Sequence, residues 1–214
     1  MDGTMDAAKP RGRDSEATRA RILQAAKEEF ARLGLGGARV DVIAERAQAN
    51  KRMIYHYFGS KEDLFRIVLE EAYLDIREAE QALDLTHLPP RDALIKLVTF
   101  TWTYYLDNPE FIRLVNSENL HHARHISGSD RLKDPSRRFV SMVSDILARG
   151  VEDGVFREGV DAVQLNITIA AIGYYYLTNR FTGAILYERD FTAREALEER
   201  LAFNLETILR LVEA

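Results

Sequence analysis

The chain has 214 residues, 46% of them apolar and none of them cysteine, so it can bury a sizeable core and holds neither a disulfide nor a thiolate metal site. Its longest apolar stretch, Ile167 to Leu177, is too short to span a bilayer, and the opening M-D-G-T-M-D-A-A-K-P-R-G-R has no apolar h-region, so the expected compartment is the cytoplasm, with no membrane partner. The net charge of −5 is unevenly placed: residues 1–66 hold 13 Lys and Arg against 10 Asp and Glu, and the remainder 16 against 24, which leaves the N-terminal end basic and the rest acidic.

Residues 1–13 are small, polar and proline-containing, and read as a disordered arm. Its Lys9, Arg11 and Arg13 suit contact with phosphates, or simply a solubilising tail. Asp14 or Ser15 is expected to cap a first helix whose apolar stripe is Ile22, Leu23, Ala26, Phe30 and Leu33, and Gly34 to end it. Leu35 then falls in a compact connector.

From Arg39 to Lys61 the sequence reads as two short helices joined by a tight turn. Val40, Ile43, Ala44 and Ala47 recur at three- and four-residue steps, which buries one side of the first. Asn50 is placed to cap the second, Lys51 to Phe58, where Ile54 and Phe58 sit four apart on one inward face. The remaining positions carry two cations, a thioether and three polar aromatics on barely two turns of helix. Such a helix is poor core material and suits the major groove of DNA. Lys51, Arg52, Met53 and Tyr57 are expected to read bases, and Arg39, Tyr55, His56 and Lys61 to hold phosphates. The competing reading is a helical hairpin inside an ordinary all-α domain.

The run Tyr55-His56-Tyr57-Phe58-Gly59-Ser60-Lys61-Glu62-Asp63-Leu64 resembles the end of the recognition helix and the start of the next helix in the TetR family of bacterial transcriptional regulators. Ala20 to Gly34 is similar to that family's first helix. Two positions depart from the pattern: Gln48 stands where the turn usually has Gly, and Arg39 where a Thr or Ser usually caps. The resemblance implies a helix-turn-helix DNA-binding domain over 14–60 and an effector-binding and dimerisation domain over 61–214. It also implies a homodimer on a palindromic double-stranded operator and a repressor released by a small-molecule effector.

Ser60 and Asp63 form a capping arrangement for a long helix to about Ala82, which belongs to both domains and so is the expected transmitter between them. A helix from about Arg91 to Leu106 carries Leu94, Val98, Trp102 and Tyr105 on one side. Asn108-Pro109 opens the next, to about Ala123, where Ile112, Val115, Asn119 and His122 form a stripe that begins apolar and ends polar. Trp102, Tyr105, Asn119 and His122, with Tyr175 from a later helix, are the expected ligand-binding residues, as aromatic walls with a few polar groups. Glu118, His121 and His125 have metal-ligand spacing, although an exposed histidine cluster is the commoner meaning of such spacing, and no metal or other cofactor is expected.

Pro135 to Gly150 is a further helix. Asp161 to Thr178 is apolar on every side, so it is expected to be covered by its own domain and again by a second copy, with Ala170, Ala171 and Gly173 allowing close approach. Thr192 and Glu195 read as a capping box for a last helix, 193–213, and these two helices are the expected dimer interface. Asn108 to Ile126 and Gly173 to Arg180 resemble the branch of the family with repressors of pyrimidine and nicotinate catabolism, which implies a small, flat, polar effector. The whole is all-α, about nine helices, and not an enzyme, since no nucleophile or carboxylate pair has recognisable spacing. The alternative function is a constitutive or structural DNA-binding protein with no effector.

Overall fold

The computed structural model describes residues 11–214, with side chains from Asp14 onward, so Lys9 of the expected arm lies outside the described residues, as do the side chains of Arg11 and Arg13. Ten α-helices follow one another: α1 (Arg11–Gly37), α2 (Val40–Arg46), α3 (Lys51–Phe58), α4 (Lys61–Gln81), α5 (Pro90–Asp107), α6 (Pro109–Leu120), α7 (Lys133–Glu152), α8 (Ala162–Thr178), α9 (Arg180–Leu186) and α10 (Arg194–Val212). The helix beyond the nine expected is α9, seven residues whose larger apolar side chains, Phe181, Ile185 and Leu186, are exposed. A periodicity that points to no core gives no signal for a buried helix face.

The chain divides into two compact units. The first runs to Leu69 and takes in Arg113–Ser127; the second comprises Glu70–Ile112 and Gly128–Ala214. Helices α4 and α6 therefore each contribute residues to both.

The first unit is centred on fully buried Ile22, Ala26, Phe30, Ile43, Ile54, Leu64 and Phe65. Phe30 meets Phe65 edge-on, with ring centroids 5.1 Å apart. Backbone carbonyls at the helix ends are satisfied from a distance: Arg21 Nε donates to Ala47 O at 3.1 Å, and Lys61 Nζ to Ala38 O at 3.2 Å. Glu29 is fully buried and balanced by Arg32 at 2.9 Å and Arg46 at 3.8 Å, an ionic clasp between α1 and α2. Neither Asp14 nor Ser15 caps α1, which begins at Arg11; the Ser15 hydroxyl instead lies 3.1 Å from that of Tyr57. Gly34, at φ 66° and ψ 176°, breaks α1 where the sequence calls for a stop, and Leu35 is buried just beyond it.

The core of the second unit draws on α5, α7, α8 and α10 through Leu94, Leu97, Phe139, Val143, Ile146, Leu165, Ile169 and Ile208. Gly150 on α7 is required by this packing, because a Cβ there would sit 1.9 Å from the Phe156 ring. Asp161 caps α8 by accepting from Gln164 N at 2.8 Å. The expected capping box at α10 does not form. Asp190 has captured both the backbone N–H of Thr192, at 2.8 Å, and its hydroxyl, at 2.7 Å, and Ala193 stands at the cap without a side-chain bond.

Candidate nucleic-acid interface

The turn between α2 and α3 takes the shape the spacing requires. Ala49 N donates to Ala44 O at 2.9 Å, and Gln48 adopts the left-handed conformation at φ 50°, where a residue with a Cβ costs about 1 kcal/mol relative to Gly. Asn50 Oδ1 accepts from Met53 N at 2.9 Å and fixes the start of α3. Arg39 precedes α2 in an extended conformation with no capping side-chain bond, its guanidinium exposed and 3.5 Å from Asp41. Gly59, at φ 85° and ψ −77°, turns the chain sharply out of α3, and a Cβ there would press on the Asp63 carboxylate at 3.1 Å. The next helix is then capped reciprocally: Asp63 N donates to Ser60 Oγ at 2.9 Å while Ser60 Oγ donates to the Asp63 carboxylate at 2.6 Å.

This frame buries Ile54 and Phe58 and leaves Lys51, Arg52, Tyr55 and His56 exposed, with Met53 and Tyr57 half-buried. Arg52 makes no hydrogen bond or ion pair with any described residue. Lys51 is paired with Asp41 at 2.8 Å, and that bond is the main reason the Asp41 carboxyl is held below its ordinary range. A phosphate can compete for such a solvent-exposed ammonium at little cost. Tyr57, beside Ser15, also bridges α3 to α1, a long-range contact for which helical periodicity carries no signal. Lys61 is half-buried with its ammonium directed at Ala38 O, so one of its three donors is already used.

The expected ligand-binding residues are placed less as the sequence reading had it. The buried residues of α6 are Phe111, Ile112, Leu114, Ser117 and Glu118, so the expected stripe holds at Ile112, is half-buried at Val115 and fails at Asn119 and His122. Asn119 is exposed and donates to Val115 O at 2.9 Å. The helix ends at Leu120, and His122, exposed, takes a left-handed φ of 56° in the loop that follows. The reason for the difference is Glu118. Its buried carboxylate accepts from the backbone N–H of His125 at 2.8 Å and of Ile126 at 3.3 Å and lies 2.6 Å from His125 Nδ1, which holds the loop after α6 against the Glu118 side of the helix. Among the described residues no three His, Asp or Glu side chains are grouped to hold a metal, although His121 and His125 meet edge-on at 5.4 Å.

Trp102 and Tyr105 are buried in the second unit, and both lie against Gly173, whose absent Cβ would come within 3.5 Å of one and 3.6 Å of the other. Gly173 therefore serves close approach of α8 to its own α5 rather than to a second copy. Tyr105 stacks on Phe111 at 6.0 Å, and Trp102 meets Tyr176 edge-on at 5.7 Å. Tyr175 is exposed and lines a cavity of about 490 Å³ with Tyr176 and Arg200. A buried acid missed by the sequence reading sits in the same unit: Glu80 is 2% exposed, 2.7 Å from the Arg77 guanidinium but off its hydrogen-bonding direction. Burial pushes its carboxyl up to about 7 against the pull of Arg77. Its helical position, four after the inward Ile76, was the available signal.

Residues 22–68 match the family described as bacterial regulatory proteins, tetR family, and residues 90–208 match the tetracyclin repressor-like C-terminal domain. The chain is 36% identical over 200 residues to the HTH-type transcriptional repressor NicS of Pseudomonas putida, covering 94% of each chain. It is 35% identical over 161 residues to the HTH-type transcriptional repressor SCO4008 of Streptomyces coelicolor, covering 75% of this chain and 78% of that one. Among solved structures, the putative transcriptional regulator SCO4942 from Streptomyces coelicolor superimposes with a TM-score of 0.67 at 28% identity, over 91% of this chain and 98% of the other. None of these relatives is described as an enzyme. Both the helix-turn-helix and the helical body are thus matched by one kind of DNA-binding regulator, and the chain belongs to the TetR family of bacterial transcriptional regulators.

Proposed function

We propose that the protein is a repressor that holds a palindromic operator as a homodimer and leaves it when a small molecule binds its body. The observation that carries the reading is α3 itself, which commits Ile54 and Phe58 to the core and presents Lys51, Arg52, Tyr55 and His56 to solvent from two turns of capped helix. Lys51, Arg52, Met53 and Tyr57 read base edges, and Arg39, Tyr55, His56 and Lys61 grip phosphates. Repression is supported by the similarity to two transcriptional repressors.

Dimerisation through α8 and α10 is supported by an exposed stripe, Val163, Ile167, Ala171 and Tyr175 at four-residue steps on α8, with exposed Phe203 on α10. Apolar surface that recurs on one side of an otherwise buried helix marks an interface, and a two-fold dimer follows most simply. Response to an effector is supported by the aromatic-walled cavity in the body. An effector acts only through the difference in its affinity for the DNA-bound and released forms, and a tenfold effect takes about 1.4 kcal/mol of preference.

The test is a footprint on the DNA flanking the protein's own gene. Two mirrored half-sites about one helical turn apart, 34–36 Å, are expected, both released together by an effector from a panel of small planar metabolites. Protection of a single half-site, or protection that no metabolite relieves, would replace this reading with the constitutive one.

A further inference from the structure

Of the lysines and arginines proposed to meet DNA, two are tied to one carboxylate. Asp41 stands exposed in the first turn of α2, and its two oxygens serve different partners. Lys51 Nζ, at the first position of α3, lies 2.8 Å from Oδ1, and the Arg39 guanidinium, just ahead of α2, lies 3.5 Å from Oδ2. The hydrogen bond from Lys51 is the main cause that holds the Asp41 carboxyl below its ordinary range, so it stays ionised. Arg52 makes no bond with a described residue, and Lys61 donates to the neutral Ala38 carbonyl.

A carboxylate at this place opposes binding to DNA of any sequence. A cation neutralised in advance releases no counterion when it meets a phosphate, and that release drives non-specific binding. An acidic residue in the first turn favours its own helix, but such a role asks for no partner on α3. The Oδ1 contact reaches across the turn to the leading residue of the helix whose N-terminal side chains meet base edges in a helix-turn-helix. A lysine ammonium is a point charge on a flexible stem, and when free it settles on a nearby phosphate. It also has three donors, so one can stay on Asp41 while two remain for acceptors such as guanine O6 and N7.

We propose that Asp41 is a positioning residue that makes Lys51 a base reader, by keeping its ammonium off the phosphates while leaving two of its donors for the groove. This role rests on Lys51 reading a base edge. On unrelated DNA the ammonium meets no matching base acceptor, and Asp41 withholds the phosphate contact that would take its place. Selectivity then comes from weakening the wrong complexes, through a residue that need not touch DNA itself.

The test is equilibrium titration of the full-length protein on the footprinted operator and on a scrambled duplex at several salt concentrations. Asp41→Asn is expected to tighten the scrambled duplex about fivefold at low salt, to steepen its slope of log K against log salt by about one, and to lower the ratio of operator to scrambled affinity by most of that factor. Asp41→Glu keeps the charge and is expected to restore weak binding to the scrambled duplex. In a Lys51→Ala background Asp41→Asn is expected to lose most of its effect. An undiminished gain in that background, or equal tightening of both duplexes, makes Asp41 a general repulsive charge and overturns the positioning role. Loosening of the operator alone makes Asp41 a base reader in its own right and overturns it as well, and loss on both duplexes with a lowered melting temperature reduces Asp41 to a structural charge on α2. An unaltered protein that does not prefer its operator removes the repressor reading itself, and Lys51→Ala with undiminished selectivity removes the base contact of Lys51; the role of Asp41 falls with either.

Discussion

Arg52 on α3 and Lys61 just beyond it are both cations, and the proposed reading gives them different work. Arg52 is exposed and unengaged, so its fork is available for a guanine edge, and Arg52→Ala is expected to cost roughly 1–3 kcal/mol at one base position while leaving mismatched sequences nearly unchanged. Lys61 is anchored on Ala38 O, and Lys61→Ala is expected to weaken every sequence alike and to lower the slope of log K against log salt by about one. Titrations on operator and scrambled DNA at several salt concentrations distinguish the two; equal, sequence-independent losses would remove the division of labour. Glu80 supplies a prediction of another kind. Its folded pKa of about 7 lies above the ordinary 4.5, so the folded protein binds the extra proton between those values and loses stability as pH rises through that window. The loss is on the order of 3 kcal/mol at most. Melting curves from pH 5 to pH 8 are expected to fall for the unaltered protein and to flatten for Glu80→Gln; parallel curves would mean that Arg77 keeps the carboxylate ionised throughout.

Among elements, α8 is the one whose reading changes most between sequence and structure. Its all-round apolar composition announces two covered sides, but which residue faces which side depends on the neighbour, and α5 has claimed Gly173. A charge at Gly173 would therefore test the core of one chain, whereas Ile167→Glu places a carboxylate on the exposed stripe. That variant is expected to keep its helix content and melting behaviour as a monomer while losing operator binding by at least tenfold, read by light scattering and by DNA titration. A stable dimer would put the interface elsewhere. The short helices α2 and α3 were legible almost to the residue, because caps, turn chemistry and period all act within a few positions. Helix α6 was legible as a helix, and its inward face was read correctly at Ile112 but not at Asn119. Glu118 is buried where it gathers backbone N–H groups seven and eight residues away, and a four-residue pattern cannot show which of two adjacent stripes such a group occupies.

Across the whole molecule the fold class and the DNA-binding end follow from local patterns, while the cavity beside Tyr175 depends on residues from Tyr175 to Phe203 that converge only in three dimensions. Its lining, with two guanidiniums and one carboxylate, is invisible in a composition that counts 29 cations and 34 carboxylates, since charge balance is a matter of place and not of number. The converse holds at the other end of the chain. Helix α3 is tied into its unit by Ile54 and Phe58, by the Asn50 cap and by Tyr57 against Ser15, and its remaining side chains contribute little to holding the fold. Lys51 and Arg52, the exposed pair among the four proposed base readers, can thus be exchanged at small cost in stability, and on the proposed reading this makes the helix an interchangeable reading head. On that reading paralogues diverge to new operators by drift at these two positions, and a designer retargets the protein there without touching its body.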